Sequence, residues 1–242
     1  MNIANSINFV ALSMQSLEKN LLLYARQHLP LLPLIYTWKF DTAIVHHSFN
    51  LTITGSNWYE KTRALKRGIS GEWSSSPEQR MELANYAVRV WGGVKRNSAA
   101  TMQGYVQAVS QSRVPANHKG IASWSKVAAF SNPVGHAIFD ARVSFSLNAI
   151  QMLQGDGQRW WFPHLAGQNK LLKAAWPLLK TRATQQRWGR IESTRVYPIY
   201  IVLLQSVSRK LNADIDDVEM VLFSKAEDLA RQLNLTNPTS KN

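Results

Sequence analysis

The chain has 242 residues, 45% of them apolar, enough for one large helical domain or two small packed lobes. It contains no cysteine, which excludes a disulfide framework, a cysteine nucleophile and a cysteine-ligated metal or iron–sulfur cluster. Its formal net charge of +13 makes a surface that attracts polyanions, and counterion release from nucleic acid rewards such a surface.

The N-terminus lacks the basic, apolar and small-residue succession of a signal peptide. The most apolar stretches, Leu29 to Tyr36 and Tyr197 to Val207, are too short to cross a bilayer, so a cytoplasmic protein with no membrane partner is expected. Asn5 to Gln27 carries Phe9, Leu12, Leu17, Leu21 and Tyr24 at helical spacing, and Pro30 and Pro33 are expected to end that helix. Thr37 to Phe49 fits no period cleanly, and the β-branched alternation of Asn50 to Gly55 suits a short strand or an extended turn. Gly68 to Ser76, polar and glycine-containing, reads as a loop. Ser76-Pro77-Glu78-Gln79 opens a helix that runs to about Trp91 and stops at Gly92-Gly93. Further helices are expected over Ser98 to Ser112, Ser123 to Phe130 and Ile138 to Leu153, followed by a breaker at Gly155-Asp156-Gly157.

The last third predicts helices over Lys170 to Trp188, Arg195 to Leu211 and Asp214 to Leu233, then a frayed polar tail from Asn234. Asp214, Asp216, Asp217 and Glu219 stand at the start of the final helix, where its dipole favours negative charge. There is no internal repeat, Walker loop or dinucleotide fingerprint, and no strand–helix alternation for a parallel sheet. The expected fold class is all-α. His46-His47, His118, His136 and His164 lack metal-ligand spacing, so no metal is expected.

Charge is unevenly spread. Between Leu83 and Ile191 there are 14 Lys and Arg but only two acids, Asp140 and Asp156. That pattern suits a phosphate-binding face better than a solubility surface or a patch for anionic lipid. Within it, Asn117 to Phe130 reads as a tight glycine turn followed by a short helix. Backbone N–H groups of Gly120, Ala122 and Ser123 are candidates for phosphate contacts without base preference, with Lys119, Ser123, Ser125 and Lys126 beside them. An ordinary helical hairpin is the plainer reading of the turn. Asp140 follows Gly120 by 20 residues, with Ala137, Ile138, Phe139 and Val143 around it. Its plainer reading is an N-cap or a partner for Arg142.

The sequence Gly120-Ile121-Ala122-Ser123-Trp124-Ser125-Lys126-Val127-Ala128, with Phe139-Asp140-Ala141-Arg142-Val143 after it, resembles the helix-hairpin-helix and following Asp of the endonuclease III-like DNA glycosylase superfamily. The resemblance covers about Pro115 to Leu153. Lys119 stands where the family usually has Pro, Ala122 where it has a second Gly, and the spacing to the Asp is slightly shorter. The resemblance implies a single domain over 1–242, built of two packed helical lobes with a cleft between them. Its helix-hairpin-helix core would lie at about 115–153 and a helical C-terminal part at 169–234.

The implied activity is hydrolysis of the N-glycosidic bond of a damaged or modified base flipped out of double-stranded DNA, in repair or in defence against modified foreign DNA. Asp140 would be the catalytic carboxylate, stabilising positive charge that develops on the sugar. Trp124 falls where bifunctional members carry a Schiff-base lysine, and Lys126, two positions on, faces elsewhere on a helix. A monofunctional enzyme without cofactor is therefore implied. Base flipping needs an aromatic pocket and a wedge. Trp124 is a candidate for lining the pocket, Trp160 and Trp161 for stacking or wedging, and Arg142 for a phosphate contact; core packing is the alternative for each Trp. Two other readings compete: a non-catalytic DNA-binding adaptor, and a helical protein whose charge serves an acidic partner. The oligomeric state is open, with a monomer as the starting expectation.

Overall fold

The computed structural model describes residues 14–115, 119–155 and 157–235. The protein is all-α apart from one very small sheet among the described residues. Helix α1 (Gln15–His28) buries Leu17, Leu21, Tyr24 and Ala25 along one stripe. Pro30 and Pro33 do not end the helical path. Each sits in the first turn of a short segment, the 3-10 turn Leu29–Leu31 and α2 (Leu32–Ile35), where a missing N–H leaves no bond unmade. Helix α3 (Thr42–Phe49) is capped by Asp41, which accepts from the Ala43 N–H at 2.8 Å. Residues 50–55 form no strand.

The loop expected at Gly68 to Ser76 is a correction: these residues belong almost wholly to α4 (Trp58–Ser75). Thr62, Leu65, Lys66, Ile69 and Trp73 line its buried stripe at helical spacing. A 3-10 turn at Pro77–Gln79 leads into α5 (Arg80–Asn85) and a π-helical segment, Tyr86–Trp91, and Ser76 supplies no side-chain cap. Ser98 caps α6 (Ala99–Ser110), accepting from the Thr101 N–H at 3.1 Å. The remaining helices are α7 (Ile121–Ser131), α8 (Ala141–Gln154), α9 (Lys170–Gln185), α10 (Val196–Leu211) and α11 (Ile215–Leu235). Strand β1 (Trp160–Trp161) pairs in parallel with β2 (Gly189–Arg190), Trp160 opposite Gly189.

Two hydrophobic clusters organise these helices. The first draws on α1, α2 and α8 to α11, that is, on both ends of the described chain. The second comes from α3 to α6. Helix α7 serves both: Ile121, Trp124 and Ala128 enter the first cluster, and Val127, Ala129 and Phe130 the second. Such a helix is buried nearly all round, which explains why Ser123, Ser125 and Lys126 are buried on it. Helix α8 is also central, burying every residue from Val143 to Gln151. Its buried polar groups are satisfied by α11, where Ser146 donates to the Leu222 carbonyl at 2.6 Å, and by the segment after α8. Ser144 donates to the Pro163 carbonyl at 2.5 Å, and the Asn148 and Gln151 amides bond both the N–H and the carbonyl of Phe162 and Trp160. No helix among the described residues is long and apolar enough to cross a membrane.

Candidate active site

The turn before α7 depends on Gly120, which adopts φ +78° as the helix N-cap. A Cβ there would run into the Tyr105 hydroxyl of α6. We expect Gly120→Ala to destabilise the fold by about 1–3 kcal/mol, through a left-handed backbone that alanine resists plus this clash. Urea unfolding checks it, and adding Tyr105→Phe should recover the part due to the hydroxyl.

The phosphate contacts expected around this turn need correction. The Ser123 N–H bonds the Gly120 carbonyl at 3.1 Å, and the Ser123 hydroxyl accepts from Asn97 Nδ2 at 2.9 Å. Ser125 is fully buried and its hydroxyl accepts the Phe139 N–H at 2.9 Å. Lys126 is only 5% exposed, and its Nζ donates to the Ala122 carbonyl at 3.0 Å. None of these three side chains is presented to a strand outside. Lys119 and Gly120 are exposed and Ala122 is half-buried. Asn117 and His118, and the second acid of the basic region, Asp156, lie outside the described residues.

Ser125 acts on the other side of the site. Its bond to Phe139 joins two more, from the Tyr197 hydroxyl to the Ala137 carbonyl at 3.0 Å and from Tyr200 to Ile138 at 2.8 Å. The extended segment leading into Asp140 is thus pinned from α7 and α10. Asp140 is the N-cap of α8, with Oδ1 accepting the N–H groups of Arg142 at 2.9 Å and Val143 at 3.1 Å. Both bonds land on one oxygen. Oδ2 has no hydrogen-bond partner among the described residues, and Asp140 is half-buried.

Arg142 does not pair with Asp140. Its Nη2 bonds Glu227 at 2.8 Å, and its guanidinium lies 4.9 Å from the Phe223 ring centre. Trp124, expected in a base pocket, is 1% exposed, packed edge-on against Tyr197 at 4.9 Å and near His136 at 6.0 Å. It is a core residue because it lies on the face of α7 turned to the first cluster. Trp160 and Trp161 are half-buried, and Trp161 lines a different cavity from the one beside α8's first turn.

That second cavity, about 330 Å³, is lined by Thr37, Trp38, Arg142, Phe223 and Glu227 among others. Trp38 packs against both hydrophobic clusters, edge-on to Phe223 at 5.5 Å and tilted on Trp91 at 5.7 Å. The cavity therefore sits at the junction of the clusters, entered by the residue two positions beyond Asp140. Sequence reasoning missed Trp38, Phe223 and Glu227. Trp38 lies in a stretch without period, and the other two sit one turn apart on α11, far along the chain from Asp140.

Behind Asp140 lies a buried ionic group. Lys66 Nζ is 3.0 Å from Glu219 and 3.9 Å from Asp216. One ammonium cannot neutralise two carboxylates. Burial pushes the Glu219 carboxyl up to about 7, against the pull of Lys66 and with help from the Asp140 charge. Asp216 is raised too, chiefly by burial, while the two acids keep Lys66 above the usual lysine range despite its burial. Burial holds the Lys126 amine below that range, with Asp140 and Glu219 opposing. Asp214, Asp216 and Asp217 also come together, but Arg63 bonds Asp214 and lies 3.4 Å from Asp217, so the acids at the start of α11 answer to cations as well as to the dipole.

Glu219 gives stability a pH dependence. From its ordinary 4.5 to about 7, the folded chain keeps a proton that the unfolded chain has released. Stability therefore falls as pH rises across that window and levels off above it. His136, held below its usual value by burial, works in the opposite direction at the acid end. Comparing wild type with Glu219→Gln cancels that contribution. We expect the stability difference, wild type minus variant, to decline with rising pH by roughly 2–3 kcal/mol in urea titrations. A flat difference would contradict the assignment.

Comparison with protein-family models, with curated proteins and with solved structures found no match.

Proposed function

We propose that the protein is a monofunctional DNA glycosylase that hydrolyses the N-glycosidic bond of a damaged or modified base flipped out of double-stranded DNA, in base-excision repair or in defence against modified foreign DNA. The observation that carries this reading is the Asp140 carboxylate. One oxygen is fixed by two backbone N–H groups and the other has no hydrogen-bond partner among the described residues, while Arg142, two positions on, lines a cavity with Trp38 and Phe223. As the bond to the base breaks, positive charge grows on C1′ and O4′ of the sugar. An oriented carboxylate oxygen stabilises that charge or positions the attacking water. Arg142 pairs with Glu227 and not with Asp140, so no guanidinium blocks the carboxylate.

In this reading the junction cavity is the cleft that receives the base. Trp38 and Phe223 form its aromatic wall, and Arg142 and Glu227 supply polar edges. Its volume is at the lower end for small-ligand sites, which suits one base. The same reading takes α6, α7 and the Gly120 turn as the helix-hairpin-helix and the exposed Lys119 as its phosphate contact; the exposure of Lys119 and Gly120 supports it. Hydrolysis without strand scission is supported by Trp124 at the lysine position, by the Lys126 amine buried against the Ala122 carbonyl, and by the pairing of Lys225, which lines the cavity, with Asp228.

The test uses a panel of duplexes, each with one lesion or modified base, incubated with protein and then treated with hot alkali. Strand breaks that need alkali and vanish in Asp140→Asn are expected. The adaptor reading instead predicts salt-sensitive binding that survives Asp140→Asn, with no base released from any duplex.

A further inference from the structure

Another cavity, about 450 Å³, lies away from the junction, where β1 and β2 meet α9 and the start of α10. We propose that it is a second binding site, for a nucleotide: an aromatic base held against tryptophan and a phosphate held by arginine and lysine.

Lys180, Arg187 and Arg190 all line this cavity. None has a carboxylate partner among the described residues, although three like charges around one hollow repel each other. The acid nearest in sequence, Glu192, accepts instead from Thr194 at 2.6 Å. An anion relieves that repulsion, and guanidinium groups match the geometry of a phosphate. Arg187 is also one of the few non-glycine residues in the left-handed region, at φ +53°, which turns the chain sharply between α9 and β2.

The other wall is aromatic. Trp161 and Trp188 line the cavity, their ring centres 6.2 Å apart, and Trp161 is braced edge-on by Trp176 at 5.5 Å. This wall is rigid because Asn148 and Gln151 of α8 hold both sides of the Trp160–Phe162 backbone. His164 adds a polar edge, its imidazole held below its usual value by partial burial and by Lys180. Stacking on tryptophan tolerates any base, and the cations select the phosphate. The ligand can come as a free mononucleotide or as one unit of a strand.

Calorimetric titration of the whole chain with dGMP and with a short single-stranded dT oligonucleotide tests this. Saturable binding of at least one is expected, weakened by at least about tenfold in Lys180→Ser/Arg190→Ser, since each lost charge-assisted bond is worth more than a factor of ten. Both residues are exposed, so the variant folds, and its melting temperature confirms that. Arg142→Ser, which alters the junction cavity, and the exposed control Lys173→Ser should leave binding unchanged, which separates this site from the glycosylase reading. Tighter binding of dGMP identifies a free nucleotide as the source, and tighter binding of the oligonucleotide a strand; both support the site. Absence of saturable binding, binding unaffected by the double variant, or tighter binding of phosphotyrosine than of either probe overturns it.

Discussion

Asp140→Asn should lower base excision by about 100- to 1,000-fold, the cost of removing one oriented group that stabilises transition-state charge. The variant keeps its shape. Asn caps helices about as well as Asp, and its side-chain oxygen can accept the Arg142 and Val143 N–H groups as Oδ1 does now. Melting temperature and DNA affinity should therefore move little while the rate collapses. Asp140→Ala separates the two roles of the residue. It should lose the same activity and also about 1 kcal/mol of stability with the cap. Single-turnover rates on the substrate from the duplex panel, set beside urea unfolding of both variants, read these effects independently. An Asp140→Asn protein that still excises at wild-type rate would end the catalytic assignment, whatever its stability.

Lys66→Met should cost about 3–5 kcal/mol of stability, the largest effect we expect away from the chemistry. The methionine fills similar space on the buried stripe of α4, so little of the loss comes from packing. The loss comes from Glu219 and Asp216, left without their cation in a site that water does not reach. Adding Glu219→Leu should recover much of it, because a pair replaced on both sides leaves fewer charges stranded. Urea unfolding of the single and double variants closes the cycle. A single variant losing less than about 1 kcal/mol would show that the ammonium contributes little net stability.

Much of the helical order was readable from spacing alone. The N-cap character of Asp140, the stop after Trp91 and the last three helices follow from capping residues and periodic apolar positions. Helix α4 was not readable, because Gly68, Gly71 and the run of serines look like a breaker and because a buried lysine counts as polar in any periodicity. Only the acids at the start of α11, more than 140 residues further on, make Lys66 a core residue. The serines of α7 misled in the same way. Small polar residues beside a glycine turn resemble a phosphate cradle until both sides of the helix are found covered. The junction cavity needs Trp38, Arg142 and Phe223 together, and no local pattern links three positions so far apart.

The sharing of α7 between the two clusters bears on how the chain assembles. The second cluster is built from one continuous stretch, Val45 to Ile138, and can condense through contacts close in sequence. The first needs α1 and α11 together, so it closes only after the last described helix has left the ribosome. Until then the Trp124 face of α7 has nothing to cover it, and the segment bearing Asp140 lacks its anchors on Tyr197 and Tyr200. A nascent chain thus completes its candidate active site late, when α1 and α11 meet.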